Sequence, residues 1–318
     1  MSKKNSEIQI EHLSKTNLPF KKFEKNIYSQ SGQDGVLENL LSRIGPLENI
    51  TCLEVGGWDG LFLSNICNLV RKFNSNCIFI ESNKKKYNQL LENHKSKIFQ
   101  KKVFAFNSLL DSKKNTVGYF LKKAGFDQLD FLSIDVDGMD YFIFRDLDIL
   151  PKVILIEFNP TFHPDISFIQ PEDPKVNIGS SSTAIAKLAS KKGYSIVHYF
   201  KCDLLLVKDE LIELLNLEKV PYQNITSNFY SYIGFGYNAE MFAIGSGSNN
   251  GPICPWESKI KISPKRFQVL PNFLQFFGDS SGSISFIKLR YILRNIYLGG
   301  IRKNILLIFK KIRNFINL

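Results

Sequence analysis

Thr51-Cys-Leu-Glu-Val-Gly-Gly-Trp-Asp-Gly60 joins a short apolar run to an acid, Glu54, and then to a glycine-bearing turn. Beyond it, residues 61 to 73 carry apolar side chains at 62, 63, 66, 69, 70 and 73, which is helical spacing. The unit reads as strand, tight turn, helix. Glycine lets backbone approach a ligand closely, and a helix start offers unpaired N–H groups to an anion. A second acid, Glu81, ends the next apolar run, Cys77 to Ile80, 21 residues after Gly60. An acid at that place can hold ribose hydroxyls, so a nucleotide-type cofactor is expected across these strand ends.

The rest of the chain extends this pattern in both directions. Upstream, Tyr28-Ser-Gln-Ser-Gly-Gln-Asp-Gly35 precedes a helix marked by Val36, Leu37, Leu40, Leu41 and Ile44. Ser31 and Asp34 have the spacing of a capping box; alternatively Gln30, Gln33 or Asp34 reaches over the cofactor. Downstream, helices are expected at 87–94, 116–124, 141–147 and 183–192, with Gly193 at the C′ position of the last. Strands are expected at 101–106, 129–135 and 153–158. Two β-rich runs, 194–200 and 202–207, are close enough to form a hairpin. Val153-Ile-Leu-Ile-Glu-Phe158 is apolar enough for burial on both faces. Alternating strands and helices closed by a hairpin predict a doubly wound, mainly parallel sheet.

Composition bounds the function. The 318 residues suffice for one α/β domain with a smaller accessory region, without disulfide or metal staples. The five cysteines show no C-x-x-C spacing and the four histidines no zinc-ligand spacing, so zinc is not expected and a reducing cytoplasm fits. No secretory h-region and no run of transmembrane length is seen. The net charge of +11 is concentrated at the end: residues 281–318 hold eight Lys/Arg and no acid, leaving +3 for the remainder. Within 283–318, Ile301, Ile305, Ile308, Ile312 and Phe315 form one stripe, with Lys303 and Lys310 opposite. That pattern suits either an anionic membrane surface or a helix packed on the protein itself. Nucleic acid is not expected, because the body carries no basic field. Residues 228–257 set Phe229, Tyr230, Tyr232, Phe235, Tyr237 and Trp256 among glycines, as a surface loop or as an acceptor-side lid. The expected organisation is an arm (1–27), a catalytic domain (28–209), an accessory region (210–280) and a basic tail (281–318).

A second constellation carries the chemistry. Phe131-Leu-Ser-Ile-Asp-Val-Asp-Gly-Met-Asp140 and Ile154-Leu-Ile-Glu-Phe-Asn-Pro160 are buried strands with acids at their C-terminal ends, where open α/β sheets bind ligands. If the two strands are neighbours, Asp135, Asp137, Glu157 and Asn159 converge beside the glycine turn. Crowded carboxylates raise one another's pKa values or demand a cation. Carboxylates with an amide oxygen suit Mg²⁺ or Mn²⁺. Such a site activates a hydroxyl through the ion, through a carboxylate, or through His163 on the loop that follows. Without a cation, Asp135 would serve cofactor holding, Asp140 helix capping, and His163 would be a solvated loop residue.

These motifs, in this order, resemble FkbM-type methyltransferases: Tyr28 to Gly35, Leu53 to Gly60 with Ser64-Asn65, Ile80-Glu81, Leu132 to Gly138, and Ile156 to Pro160. The similarity covers about residues 28–208. It implies a class I methyltransferase-like Rossmann fold with seven strands, S-adenosylmethionine as cofactor, and O-methylation, often of sugars in polysaccharide, lipopolysaccharide or natural-product pathways. It places Gly56, Asp59 and Gly60 at the methionine end of the cofactor and Glu81 at its ribose. The expected cofactor set is Gln33, Glu54, Gly56, Asp59, Gly60, Glu81 and Asp135. The expected acceptor is a sugar, a nucleotide-sugar or a lipid-linked glycan, met in the cytoplasm or at the inner face of the membrane. Trp58 departs from the small or amide residue common there, and Cys202-Asp203 from a common Asn.

Other readings remain. A dehydrogenase would need G-x-G-x-x-G, which Gly56 to Gly60 lacks. Asp135-Val-Asp137-Gly138 resembles the D-x-D of phosphatases and of sugar-nucleotide enzymes. A non-catalytic scaffold or glycan-binding module on a methyltransferase-like fold is the remaining alternative, with Trp58 as its support.

Overall fold

The structure is a computed structural model; it describes residues 18–111 and 114–225, with the backbone of 231–235 and 241–245. Five strands run parallel: β1 (Thr51–Val55), β2 (Asn76–Ile80), β3 (Val103–Phe106), β4 (Phe131–Ile134) and β5 (Val153–Glu157). The hairpin β6 (Tyr194–Tyr199) and β7 (Asp203–Lys208) completes the sheet in the order β3-β2-β1-β4-β5-β7-β6, with β7 antiparallel to both neighbours. β1 therefore lies near the middle, flanked by β2 and β4.

Strand periodicity divides the core into two layers. Leu53, Val55, Ile78, Ile80, Leu132, Ile134, Ile154 and Ile156 face α5 (Val117–Lys123), α6 (Asp140–Arg145) and α7 (Ser182–Lys191). Their sequence neighbours Cys52, Cys77, Phe79, Phe131, Val153 and Leu155 face α1 (Gln33–Ile44), α2 (Cys67–Phe73), α3 (Lys84–Asn93) and α8 (Asp209–Leu214). A short helix, α4 (Lys95–Phe99), follows α3. Both faces of the central strands are covered, which is why they read as continuous apolar runs.

Two expectations at element boundaries are corrected. The helix after the glycine turn starts at Cys67, not Leu61. Asp59 Oδ1 accepts the Leu61 and Phe62 N–H groups at 3.1 and 2.9 Å, Leu63 takes a left-handed φ of 59°, and Ser64 Oγ takes the Cys67 N–H at 3.1 Å. Polar groups of the segment itself thus satisfy backbone that a helix would have paired, and the apolar spacing at 62 and 63 reports no buried face. The Ser31–Asp34 capping box does not form. Gly32 is the N-cap, with φ of 101°, and Asp34 Oδ2 instead gathers the N–H groups of Ile27, Tyr28 and Ser29 at 2.7–2.8 Å. Gly193, by contrast, adopts the left-handed φ of 77° that its position after α7 requires.

The compact unit runs to residue 227. Phe20, Val220 and Ile225 are in its core, so residues expected in the arm and in the accessory region pack with the seven-stranded sheet and its helices. In the second unit, β8 (Ser231–Phe235) and β9 (Met241–Gly245) pair as an antiparallel hairpin. The remaining aromatic residues of 228–257 and the basic stretch 283–318 lie outside the described residues. Among the described residues no helix is long and apolar enough to cross a membrane.

Candidate active site at the strand ends

The glycine turn is built against its neighbours on both sides. Gly56 and Gly57 donate to the Ile80 carbonyl at 3.0 and 3.2 Å, joining the turn to the end of β2. Gly56 has φ of 85°, and a Cβ there would overlap the Asp135 carbonyl oxygen just beyond β4. Only glycine permits both. Gly60, φ 73°, packs on the buried His94 ring, whose Nε2 lies 2.7 Å from the Gly60 carbonyl oxygen. Burial pushes the His94 pKa down.

The acids around this turn divide by what they bond. Glu54 is buried and accepts Ser64 Oγ–H and Asn65 N–H, both at 2.7 Å, so it holds the loop before α2. Burial raises its pKa to about 7 against the opposing effect of those two donors. Glu81 accepts Trp58 N–H at 2.8 Å and Asn83 N–H at 2.6 Å, fixing the glycine turn to the turn that opens α3. Asp59 closes its own turn, with Oδ2 3.9 Å from Lys86 Nζ. Trp58 holds a left-handed φ of 47°, and its ring is 44% exposed under the Lys86 ammonium rather than buried.

The second group converges at the ends of β4 and β5. One carboxylate oxygen from each of Asp135, Asp137 and Glu157 lies within 4.8 Å of the others. The parallel pairing of β4 and β5 and the left-handed φ of 58° at Asp137 produce this convergence. Asp140 closes the turn beneath, accepting Val136 and Gly138 N–H at 2.9 Å. Burial, then the neighbouring acids, pushes Asp135 and Glu157 well above the usual carboxylate range. Burial raises Asp140 to about 6 despite its backbone donors.

Asp203, marked in the sequence only as part of a departure from a common Asn, joins this group. It starts β7 directly opposite Glu157, is buried, and accepts Gln33 Nε2–H at 2.8 Å. Burial raises its pKa to about 6 against the lowering effect of that donor. Had the hairpin been threaded beside β5 with β7 inside, the register would have placed it there. Gln33 thus spends its amide on Asp203 and on the Ser31 N–H, 2.6 Å from its Oε1. Its expected reach over a cofactor is replaced by a tie between α1 and β7.

Asn159 departs from the expected cation set. Its Oδ1 accepts both the N–H and Oγ1–H of Thr161, at 2.8 and 2.5 Å, and its Nδ2 donates to the Ile178 carbonyl at 2.6 Å. The amide is committed to its own loop. His163 is not one of the three converging groups; its Nδ1 lies 3.3 Å from Asp165 Oδ2 on the same loop.

Three carboxylate oxygens fit a hard divalent cation. Mg²⁺ ligands at about 2.1 Å in octahedral geometry stand about 3 Å apart at right angles, so an ion would draw the three oxygens closer together. Among the described residues no lysine, arginine or histidine forms an ion pair with Asp135, Asp137, Glu157 or Asp203.

A central β1 ending in a glycine turn, order 3-2-1-4-5-7-6, and β7 inserted antiparallel together define the architecture. This is the seven-stranded, mainly parallel sheet with a C-terminal antiparallel hairpin that the sequence resemblance implies. Solved structures with similarity include the O-methyltransferase from Bacillus cereus in complex with SAH (20% identity, 57% of this chain and 84% of that one, TM-score 0.38). Others are M. capricolum TrmK in complex with S-adenosyl-homocysteine (16%, 51% and 63%, 0.35) and the mitomycin 7-O-methyltransferase MmcR (14%, 55% and 55%, 0.33). The chain thus spans less than two thirds of the TrmK and MmcR chains. No family model and no curated protein matches the sequence.

Proposed function

We propose that the protein is an S-adenosylmethionine-dependent O-methyltransferase that acts on a hydroxyl of a sugar or glycan-type acceptor, with a divalent cation at the acid cluster. The observation that carries this reading is the contact between Gly56 and Asp135: the glycine turn and the acid cluster share one backbone seam. A methyl donor cradled by the first lies beside a hydroxyl bound at the second, which is the proximity a displacement at a methyl group needs.

In this reading Glu81 faces the ribose, and Gly56, Asp59 and Gly60 shape the methionine end. Asp135, Asp137 and Glu157 would hold Mg²⁺ or Mn²⁺, which supplies charge that lowers the pKa of a bound hydroxyl. With the ion in place the carboxylates would be ionised, and a carboxylate oxygen not engaged with it would orient the acceptor oxygen toward the donor and receive its proton. Asp203, held by Gln33, sits opposite Glu157 and adds to the negative charge that would draw a cation there. The sugar, nucleotide-sugar or lipid-linked glycan acceptor rests on the sequence resemblance.

The test is methyl transfer from labelled S-adenosylmethionine to a panel of nucleotide sugars and lipid-linked glycans. Labelled product that disappears in chelator and returns with Mg²⁺ is expected. Full transfer in chelator would remove the cation, and binding of S-adenosylmethionine without transfer to any hydroxyl would favour a non-catalytic module.

A further inference from the structure

The turn between β1 and α2 exposes large apolar side chains. Trp58, Phe62 and Leu63 are 44, 64 and 39% exposed. Two of the three, Trp58 and Leu63, hold left-handed backbone, which bulky L-residues adopt at a cost. That strain directs side chains outward, so the core gains nothing from it. Beside this turn, the first three residues of α3 are Lys84, Lys85 and Lys86. Cations at a helix N-terminus oppose the helix dipole, so this placement too works against local stability. The two features touch, with Lys86 Nζ 4.4 Å from the Trp58 ring centroid. The surface continues through Asn93, which donates to the Asp59 carbonyl at 2.8 Å. Arg71 donates to the Asn93 carbonyl at 3.1 Å and lies over the Tyr28 ring. Ile27, next to Tyr28, is 41% exposed. Asp59, an acid within this patch, accepts two N–H groups of its own loop through Oδ1, while its Oδ2 pairs with Lys86 at 3.9 Å and leaves Lys84 and Lys85 to supply the positive charge.

We infer that this apolar and cationic patch rests on the surface of an anionic lipid bilayer. Aromatic rings settle at headgroup depth, aliphatic tips enter just below, and lysines meet anionic headgroups. The patch grows from the C-terminal end of β1, the same end of the sheet at which β4 and β5 carry the acid cluster. Bilayer contact there brings a lipid-linked hydroxyl to Asp135 and Glu157 while its anchor stays in the membrane. That consequence rests on the proposed methyl transfer; the contact itself does not.

The full chain, Phe62→Ser/Leu63→Asn and Lys84→Glu/Lys85→Glu should be compared by co-sedimentation with phosphatidylcholine vesicles, with and without phosphatidylglycerol. Asn tolerates the left-handed position at 63. The parent should favour the anionic vesicles, and each double variant should lower its partition coefficient roughly tenfold. Circular dichroism melting of the variants should be no lower than the parent's, since Asn at 63 and acids at the start of α3 relieve local strain, and their S-adenosylmethionine affinity should match the parent's. Equal partition of parent and variants would overturn the inference and assign any binding to another segment. No binding of the parent would also overturn it. A protein that binds vesicles through this patch but transfers no methyl group would keep the inference and sink the proposed activity.

Discussion

Glu157 concentrates the electrostatics of the site. It is 7% exposed, and its carboxylate faces Asp135, Asp137 and Asp203 with no ion-pair partner among the described residues. Two ionised carboxylates at about 4.8 Å repel by about 3 kcal/mol at an effective dielectric of about 20. Glu157→Gln should therefore melt higher than the parent in chelator and lose the parent's melting increase with Mg²⁺, with methyl transfer down at least about a hundredfold. A variant that melts lower in chelator and still responds to Mg²⁺ would contradict the assigned geometry. Gly56→Ala tests the seam between donor and acid cluster. A methyl group there meets the Asp135 carbonyl in a left-handed conformation, and scanning calorimetry should show a loss of more than about 2 kcal/mol. At this scale the sequence was partly legible. The acids at 135, 137 and 157 announce themselves by ending apolar strands. Asp203 does not, because it begins a strand and acquires its meaning only from the register opposite Glu157. Asn159 misleads for the converse reason: its position suits a ligand, but an adjacent Thr161 satisfies its oxygen locally.

Among the elements, α1 and β7 are tied by the bond from Gln33 to Asp203, residues 170 positions apart in sequence. Gln33→Ala leaves a buried carboxylate without its donor and should cost about 1–3 kcal/mol. The donor favours the charged carboxylate, so the loss should be larger at pH 8 than at pH 5. Equal loss at both pH values would show that Gln33 acts through packing alone. Strand identities were readable from apolar runs bounded by acids and glycines, and the hairpin from two β-rich runs separated by little chain. The start of α2 was not, since helical spacing at 62 and 63 coincides with a turn held by Asp59 and Ser64. Side-chain oxygens competing for backbone N–H groups leave no trace in apolar periodicity.

For the molecule as a whole, the acid cluster shapes stability against pH. Glu54 has a folded pKa of about 7, and Asp135 and Glu157 are raised well above their ordinary values. A carboxylate raised on folding binds its proton more tightly in the folded state, so stability falls as pH rises from the unfolded toward the folded pKa. The buried His94 and His198 are shifted down and act the other way, but only below their ordinary value of 6.5. Between pH 6.5 and 8 the carboxylates dominate. Melting temperature in chelator should fall across that window, and saturating Mg²⁺ should flatten the fall; a flat or rising profile in chelator would count against a charge-crowded site. The three-layer architecture was legible because parallel strands buried on both faces have few alternatives. The methyl donor is the central claim, and calorimetric titration of the full chain with S-adenosylmethionine tests it most directly. Saturable heat at one site per chain, weakened by Glu81→Ala, is the predicted result; no heat with S-adenosylmethionine, against tight binding of NAD or a sugar nucleotide, would contradict it.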